Sequence, residues 1–276
     1  MPELPEVETV RRSMSDRVVG ASIESVTFRE FPGVVGEHSP DTFTALVVGE
    51  RFDRIDRRGK HLWLSFDQGN GLFIHLMMTG QLLLIGPHEE RLRFEHLRLS
   101  LDNGWALAYA DQRKFGRVLR LSDEQWDEID RRLGAEPLQD DFTEATLFEL
   151  TRNRRTPVKA FLLDQRRIAG VGNIYADEAL YRAKVHPLRE TGSLTEAETS
   201  RLRDAVRAVL SEGLERKGTT LSDYRDANGD AGTNAANLRV YGRGGTGACE
   251  ICGTALVRLI VAQRGTTICP TCQPEE

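Results

Sequence analysis

All four cysteines of the chain fall near its C-terminus, as Cys249-x2-Cys252 and Cys269-x2-Cys272, with sixteen residues between the pairs. This is the spacing of a four-cysteine zinc ribbon, in which two tight knuckles each place two thiolates on one tetrahedral ion. Gly253 and Pro270 sit in the knuckles. Two disulfides are the competing arrangement, and a cytoplasmic chain with no other cysteine disfavours them. Four thiolates leave no open position for water, so one structural Zn2+ is expected, and no organic cofactor. A segment this short cannot hold a core alone, and zinc is expected to contribute most of its folding free energy. Arg258 and Arg264 lie in the stretch that the two pairs would present.

The other end of the chain reads Met1-Pro2-Glu3-Leu4-Pro5-Glu6. Removal of Met1, which a small second residue permits, would make Pro2 a terminal secondary amine. Its lone pair is a nucleophile; the plainer alternative is a proline that starts a helix. Glu3 and Glu6 could handle a proton beside that amine, or simply sit favourably against the dipole of a first helical turn. Lys60 follows Gly59 in a turn, where most lysines are merely solvated.

These residues need elements to position them. The 276 residues suffice for two domains, or two and a small appendage. Hydrophobic residues at 39% and charged residues at 29% are ordinary for a globular protein. No apolar run reaches the roughly 18 residues of a membrane span. The acidic N-terminus is unlike a signal peptide, so a cytoplasmic protein with no membrane partner is expected. The net charge of −5 speaks against a nucleic-acid partner unless charge is segregated, and it is. Arg152 to Arg189 carries nine Lys or Arg against three Asp or Glu; Leu121 to Leu150 carries ten acids against two arginines. A field depends on where charges sit, which leaves room for a basic face.

A helix is predicted from about Pro5 to Val18. Strands are predicted at Ser22–Phe28, His61–Phe66, Gly71–Leu76, Gln81–Ile85, Leu97–Leu101 and Trp105–Ala110, separated by turn signals, which suggests a β-sandwich or barrel. After Leu121 the periods turn helical. Leu147, Leu150, Phe161, Leu162 and Leu163 read as core, with helices at Ala176–Ala183 and Thr195–Glu212. Thr195 and Glu198 form a capping box for the last of these. Residues 217–239 are polar and aperiodic, and read as a mobile loop. The domain boundaries follow as 1–135, 136–235 and 236–276.

Met1-Pro2-Glu3-Leu4-Pro5-Glu6-Val7-Glu8-Thr9-Val10 resembles the start of the formamidopyrimidine-DNA glycosylase family. The motifs Arg58-Gly59-Lys60-His61-Leu62, His75-Leu76-Met77-Met78-Thr79-Gly80, Asp111-x-Arg113-x-Phe115-Gly116, and Gly170-Val171-Gly172-Asn173-Ile174-Tyr175-Ala176-x-Glu178 follow in the family's order. Val240-Tyr241-Gly242-Arg243 and Gln263-Arg264-Gly265-Thr266 complete a likeness that covers the chain from end to end. Leu4, Val7 and the Arg113/Phe115 pair are closer to the oxidised-purine branch than to endonuclease VIII.

The resemblance implies an α+β, multi-domain fold: an N-terminal β-sandwich with a leading helix, a helix–two-turn–helix domain, and the C-terminal zinc ribbon. It implies action on double-stranded damaged DNA, excising oxidised purines and cutting the strand through a Pro2 Schiff base; a monomer is expected because no heptad or large apolar stripe appears in the sequence. Glu3 would be the proton donor, Lys60 the donor for β-elimination, and Arg264 the phosphate clamp and donor for δ-elimination. Met78, Arg113 and Phe115 would fill the gap left by an extruded nucleotide. His75, His96, Arg154, Lys159, Asn173 and Tyr241 match positions near DNA, although His96 could equally be a satisfied sheet histidine. The chain departs from the family at Gly232-Thr233-Asn234, where aromatic residues are common in the loop covering the flipped base. Two alternatives are an oxidised-pyrimidine glycosylase on the same scaffold and a zinc-ribbon protein that binds damaged DNA without cutting it.

Overall fold

The helix at the N-terminus buries Leu4, Val7, Val10, Met14 and Val18, which recur at helical spacing along α1 (Leu4–Val18). It packs on the first of two antiparallel sheets of four strands. In chain order the elements of this region are β1 (Ile23–Phe28), α2 (Pro40–Val47), β2 (Phe52–Arg58), β3 (His61–Phe66), β4 (Gly71–His75), β5 (Gly80–Ile85), β6 (Glu95–Leu101), β7 (Ala106–Asp111), β8 (Arg117–Leu121) and α3 (Asp123–Arg131). One sheet runs β2-β3-β4-β8, the other β1-β6-β7-β5. Period-two burial explains how they share a core: Leu62, Leu64 and Phe66 join Leu97, Leu99 and Leu101 in one cluster. Trp63, on the opposite face of β3, stacks on Trp126 of α3 with ring centroids 5.2 Å apart.

The computed structural model describes residues 1–87 and 92–275. They form two compact units, 1–132 with 216–235, and 133–215 with 236–276. The chain divides after residue 235, where a boundary was expected, and the difference lies in the placement of residues 216–235. Residues 216–235 pack with the sandwich instead of the helical region, because Ala227 and Tyr224 enter the sandwich core. The Leu84 N–H donates to the Ala227 carbonyl, and the Ala227 N–H donates to Ser13 Oγ. The segment expected to be a mobile loop is thus tied down at several points.

The second unit comprises α4 (Glu144–Thr151), α5 (Val158–Leu163), α6 (Asn173–Ala183), α7 (Glu196–Glu215) and the hairpin β9 (Val257–Val261) and β10 (Arg264–Ile268). Thr195 and Glu198 make the reciprocal bonds of a capping box at the start of α7. Leu147, Phe161 and Leu162 are buried, while Leu150 and Leu163 are only half-buried. Within α6, two successive acids are buried and hold the zinc-ribbon part. Glu178 accepts the N–H groups of Arg239, Val240 and Tyr241 at 2.8–2.9 Å. Asp177 accepts the Thr267 N–H at 3.0 Å. No helix among the described residues is long and apolar enough to cross a membrane.

Candidate active site and metal centre

At the start of α1, Pro2, Glu3 and Glu6 are all buried, with Met1 half exposed before them. The Glu3 N–H donates to Glu6 Oε2 at 2.8 Å, as in a capping box. Glu6 Oε1 accepts the Thr219 N–H at 2.7 Å, and the Tyr224 hydroxyl donates to the Glu6 carbonyl at 3.3 Å. Glu6 therefore both caps the helix and docks segment 217–224 beside the terminus. Lys60 occupies the two-residue turn between β2 and β3, with Gly59 at positive φ. Unlike an ordinary turn lysine, it is buried, at 6% exposure.

Next to Lys60, His61 and His75 pair directly across β3 and β4, their rings edge to face at 4.6 Å. Burial, the facing His75 and the charges of Lys60 and Arg58 push His61 down to about 3. Burial and Lys60 push His75 down to about 4. Both imidazoles are neutral near pH 7, so they add no positive charge beside Lys60. Behind α1, burial alone would raise the Glu8 carboxyl, but Arg11, Arg12 and Arg57 overcome it and hold it at about 2. The Arg57–Glu8 pair, at 3.1 Å, fastens α1 to β2.

Met78, Arg113 and Phe115 lie on two adjoining loops organised by one carboxylate. Asp111 accepts the Thr79 hydroxyl at 2.5 Å, the Arg113 N–H at 3.1 Å and the Gly116 N–H at 2.8 Å. Phe115 is 49% exposed, with the Arg113 guanidinium 4.8 Å above its ring, and Met78 is half-buried. A Cβ at position 116 would meet the Tyr109 hydroxyl at 1.6 Å, so only glycine lets the chain turn there. His96, in contrast, is wholly buried in β6, with Nε2 2.7 Å from the Asp111 carbonyl. His96 packs behind the Asp111 loop and presents no ring atom to solvent, as the alternative of a satisfied sheet histidine requires.

In the second unit, the sulfurs of Cys249, Cys252, Cys269 and Cys272 all lie within 4.8 Å of one another. Two of the sulfur pairs stand 3.4 and 3.8 Å apart, far beyond the ~2.05 Å of a disulfide. Zn–S bonds of about 2.3 Å in a tetrahedron require sulfurs about 3.8 Å apart, so this donor set fits one zinc ion. The Tyr181 hydroxyl lies 3.1 Å from Cys249 Sγ. From this base β9 and β10 project through a two-residue turn, Ala262-Gln263, both at positive φ. Arg264, the first residue after that turn, is exposed. Asn173 Nδ2 donates to the Gly265 carbonyl at 3.1 Å. Asn173, Tyr241, Arg258 and Gly265 line a polar hollow of about 360 Å³.

Lys159, another residue expected near DNA, is also turned inward. Its side chain is fully buried, its ammonium bonded to Asp177 at 2.5 Å, Thr266 Oγ1 at 2.7 Å and the Gly265 carbonyl at 3.2 Å. It supports the strand that begins at Arg264. Burial raises Asp177 to about 6 against the opposing pull of Lys159 and the Thr267 N–H. Arg154 is half-buried, its Nε bonded to the Leu150 carbonyl. Of the nine basic residues between 152 and 189, at least Arg152, Lys159, Arg167, Arg182 and Arg189 are engaged with carboxylates. Much of the basic surplus in the sequence is thus neutralised locally.

Residues 1–118 match the family model described as the formamidopyrimidine-DNA glycosylase N-terminal domain, and residues 133–225 match the H2TH domain of the same family. Residues 248–274 match a zinc finger found in FPG and IleRS. A formamidopyrimidine-DNA glycosylase of Herpetosiphon aurantiacus is 44% identical, covering 99% of this chain and all of the relative. One of Symbiobacterium thermophilum is 47% identical over 99% of this chain and 90% of the relative. The chain belongs to the formamidopyrimidine-DNA glycosylase family.

Among solved structures, a Lactococcus lactis Fpg mutant in complex with Fapy-dG-containing DNA superposes with a TM-score of 0.91 at 35% identity, over 99% of this chain and 100% of that one. The L. lactis protein with abasic-site DNA gives 0.90 at 35% identity, over 99% of each chain. The multi-domain α+β architecture expected for a formamidopyrimidine-DNA glycosylase is the one observed, zinc-binding cluster included. As a member of that family the chain is a DNA-repair glycosylase. Three of its organising side chains escaped the sequence reading. Asp111 and Glu178 were visible only as parts of motifs and Asp177 only as an unspecified position within one, and their bonds to residues 5 to 90 positions away have no local signature.

Proposed function

We propose that the protein excises oxidised purines, 8-oxoguanine and formamidopyrimidines, from duplex DNA and then cuts the strand as an apurinic/apyrimidinic lyase. The Pro2 nitrogen, freed by removal of Met1, attacks the sugar C1′, and the base departs with the electrons of the glycosidic bond. Once the nitrogen has given up its proton, its lone pair opens the C1′–O4′ bond to an iminium as Glu3 delivers a proton to O4′. The iminium acidifies the C2′ proton, so its loss expels the 3′ phosphate, with Lys60 as donor. Loss of a second proton expels the 5′ phosphate, with Arg264 as clamp and donor. Arg113 and Phe115 enter the gap left by the extruded nucleotide, helped by Met78. His75, Arg154, Asn173 and Tyr241 hold the strand, and zinc keeps the β9–β10 hairpin in shape. The enzyme works as a monomer in the bacterial cytoplasm.

What carries this reading is the buried cluster at the start of α1. Glu3 and Glu6 are 2% exposed beside a residue that becomes a secondary amine, and a protein that only binds DNA needs neither. Oxidised pyrimidines are the second reading, favoured by likeness to the L. lactis protein in complex with oxidised-pyrimidine-containing DNA; Thr233-Asn234 in place of aromatics bears on the choice between 8-oxoguanine and ring-opened purines.

Borohydride trapping on duplexes with 8-oxoguanine opposite cytosine tests both. A covalent band with cut strand is expected from methionine-processed protein, and none from protein that retains Met1. A band only on the oxidised-pyrimidine duplex would select the second reading, and no band on either would overturn the amine mechanism.

A further inference from the structure

Segment 217–224 is held from behind by a side chain that the chemistry above does not use. Asn234 Nδ2 donates to Thr219 Oγ1 at 2.9 Å, and the Asn234 N–H donates to the Gly218 carbonyl at 3.1 Å. Thr219 in turn gives its N–H to Glu6 Oε1, whose second oxygen accepts from Glu3. Asn234, Thr219 and Glu6 are 5%, 4% and 2% exposed, so these bonds are made away from water, where an unmade one is costly. The two stretches of chain lie backbone against backbone: a Cβ at Gly232 would come within 2.1 Å of the Gly218 carbonyl oxygen. Thr219 and Thr233 form an isolated bridge, and the Gly232 N–H donates to Thr220 Oγ1 at 2.9 Å.

We propose that Asn234 is a positioning residue for base excision: by holding the Thr219 hydroxyl it keeps segment 217–224 docked on Glu6. This rests on the proposed function and on the family resemblance, by which the loop that includes residues 217–224 covers the flipped base. The amide is what matters, since an aromatic or aliphatic side chain at 234 has no N–H to give Thr219. The two oxygens of Glu6 divide the labour. One belongs to the cap of α1 and is bonded within the helix, whatever the segment does. The other depends on the segment. Losing the Asn234 amide therefore loosens the cover while the amine end keeps its own support.

The test compares single-turnover excision of 8-oxoguanine with cleavage of a preformed abasic site, which has no base to cover. Asn234→Leu is expected to slow excision about tenfold, the size of one buried hydrogen bond, and abasic-site cleavage by less than about threefold. Thr219→Val should give the same split. The double variant should be no slower than either alone, because both remove one bond. Equal slowing on the two substrates, no slowing, or additive losses in the double variant would each overturn the inference. Failure of the unaltered protein to cut either substrate would overturn the proposed function and the inference with it. Normal cutting by Asn234→Leu overturns the inference alone.

Discussion

Lys159 and Asp177 form a fully buried ion pair, and a charge left alone in such a place costs more than the pair contributes. Lys159→Met is expected to destabilise the second unit by about 3–5 kcal/mol, read as a lower denaturant midpoint. Adding Asp177→Leu should recover part of that loss, though the Thr267 N–H would then lack its acceptor. An unchanged midpoint for the single variant would show the pair to be dispensable. Sequence could not foresee this burial. Lys159 follows Arg152, Arg154 and Arg155 and shares their basic neighbourhood, yet on α5 it lies among Val158, Phe161 and Leu162 and turns inward.

Across β3 and β4 the facing histidines make stability depend on pH with a definite sign. His61 and His75 titrate at about 3 and about 4 in the folded protein, against about 6.5 when unfolded. Above pH 6.5 both states leave them neutral. As pH falls below that, the unfolded chain takes up protons that the folded pair refuses, so stability declines until the folded pair itself titrates. The unfolding midpoint in urea should thus be lower at pH 5 than at pH 7. His61→Phe, which keeps a ring against Phe73 and His75, should shrink that difference. An undiminished difference would assign the acid limb to other groups. Glu8 acts in a lower window: its contribution is present above about 4.5 and is lost as pH falls towards 2. Most strands of the sandwich were legible from their alternation. β2 and β8 were not, because Phe52 to Arg58 reads as a run of charges in which only Phe52 and Ile55 are buried, and in β8 only Val118 is buried.

For the whole molecule, an overall charge of −5 means that DNA binding must come from a few placed cations, not from the average field. Under the proposed function zinc bears on this, since Arg258 and Arg264 stand on the hairpin between the cysteine pairs. Cys272→Ser, or chelation, is expected to remove zinc and weaken binding to abasic-site duplex together, while the sandwich unit keeps its own melting transition. Metal-free protein that binds as tightly as the zinc form would separate the two.

The sequence alone determined what depends on local spacing: the cysteine pairs, the apolar period of α1, the alternating strands and the ordered motifs of the family. Tertiary structure alone decided which charges face outward. It turned Lys159 and His96 inward, buried Lys60 in a tight turn, and placed residues 216–235 with the sandwich. It also joined Thr219 to Glu6 across 213 positions, with Asn234 bonded to Thr219 behind. The reason is physical: a residue's type sets which bonds it can make. Whether those bonds are made in water or away from it depends on chain segments that sequence proximity does not bring together.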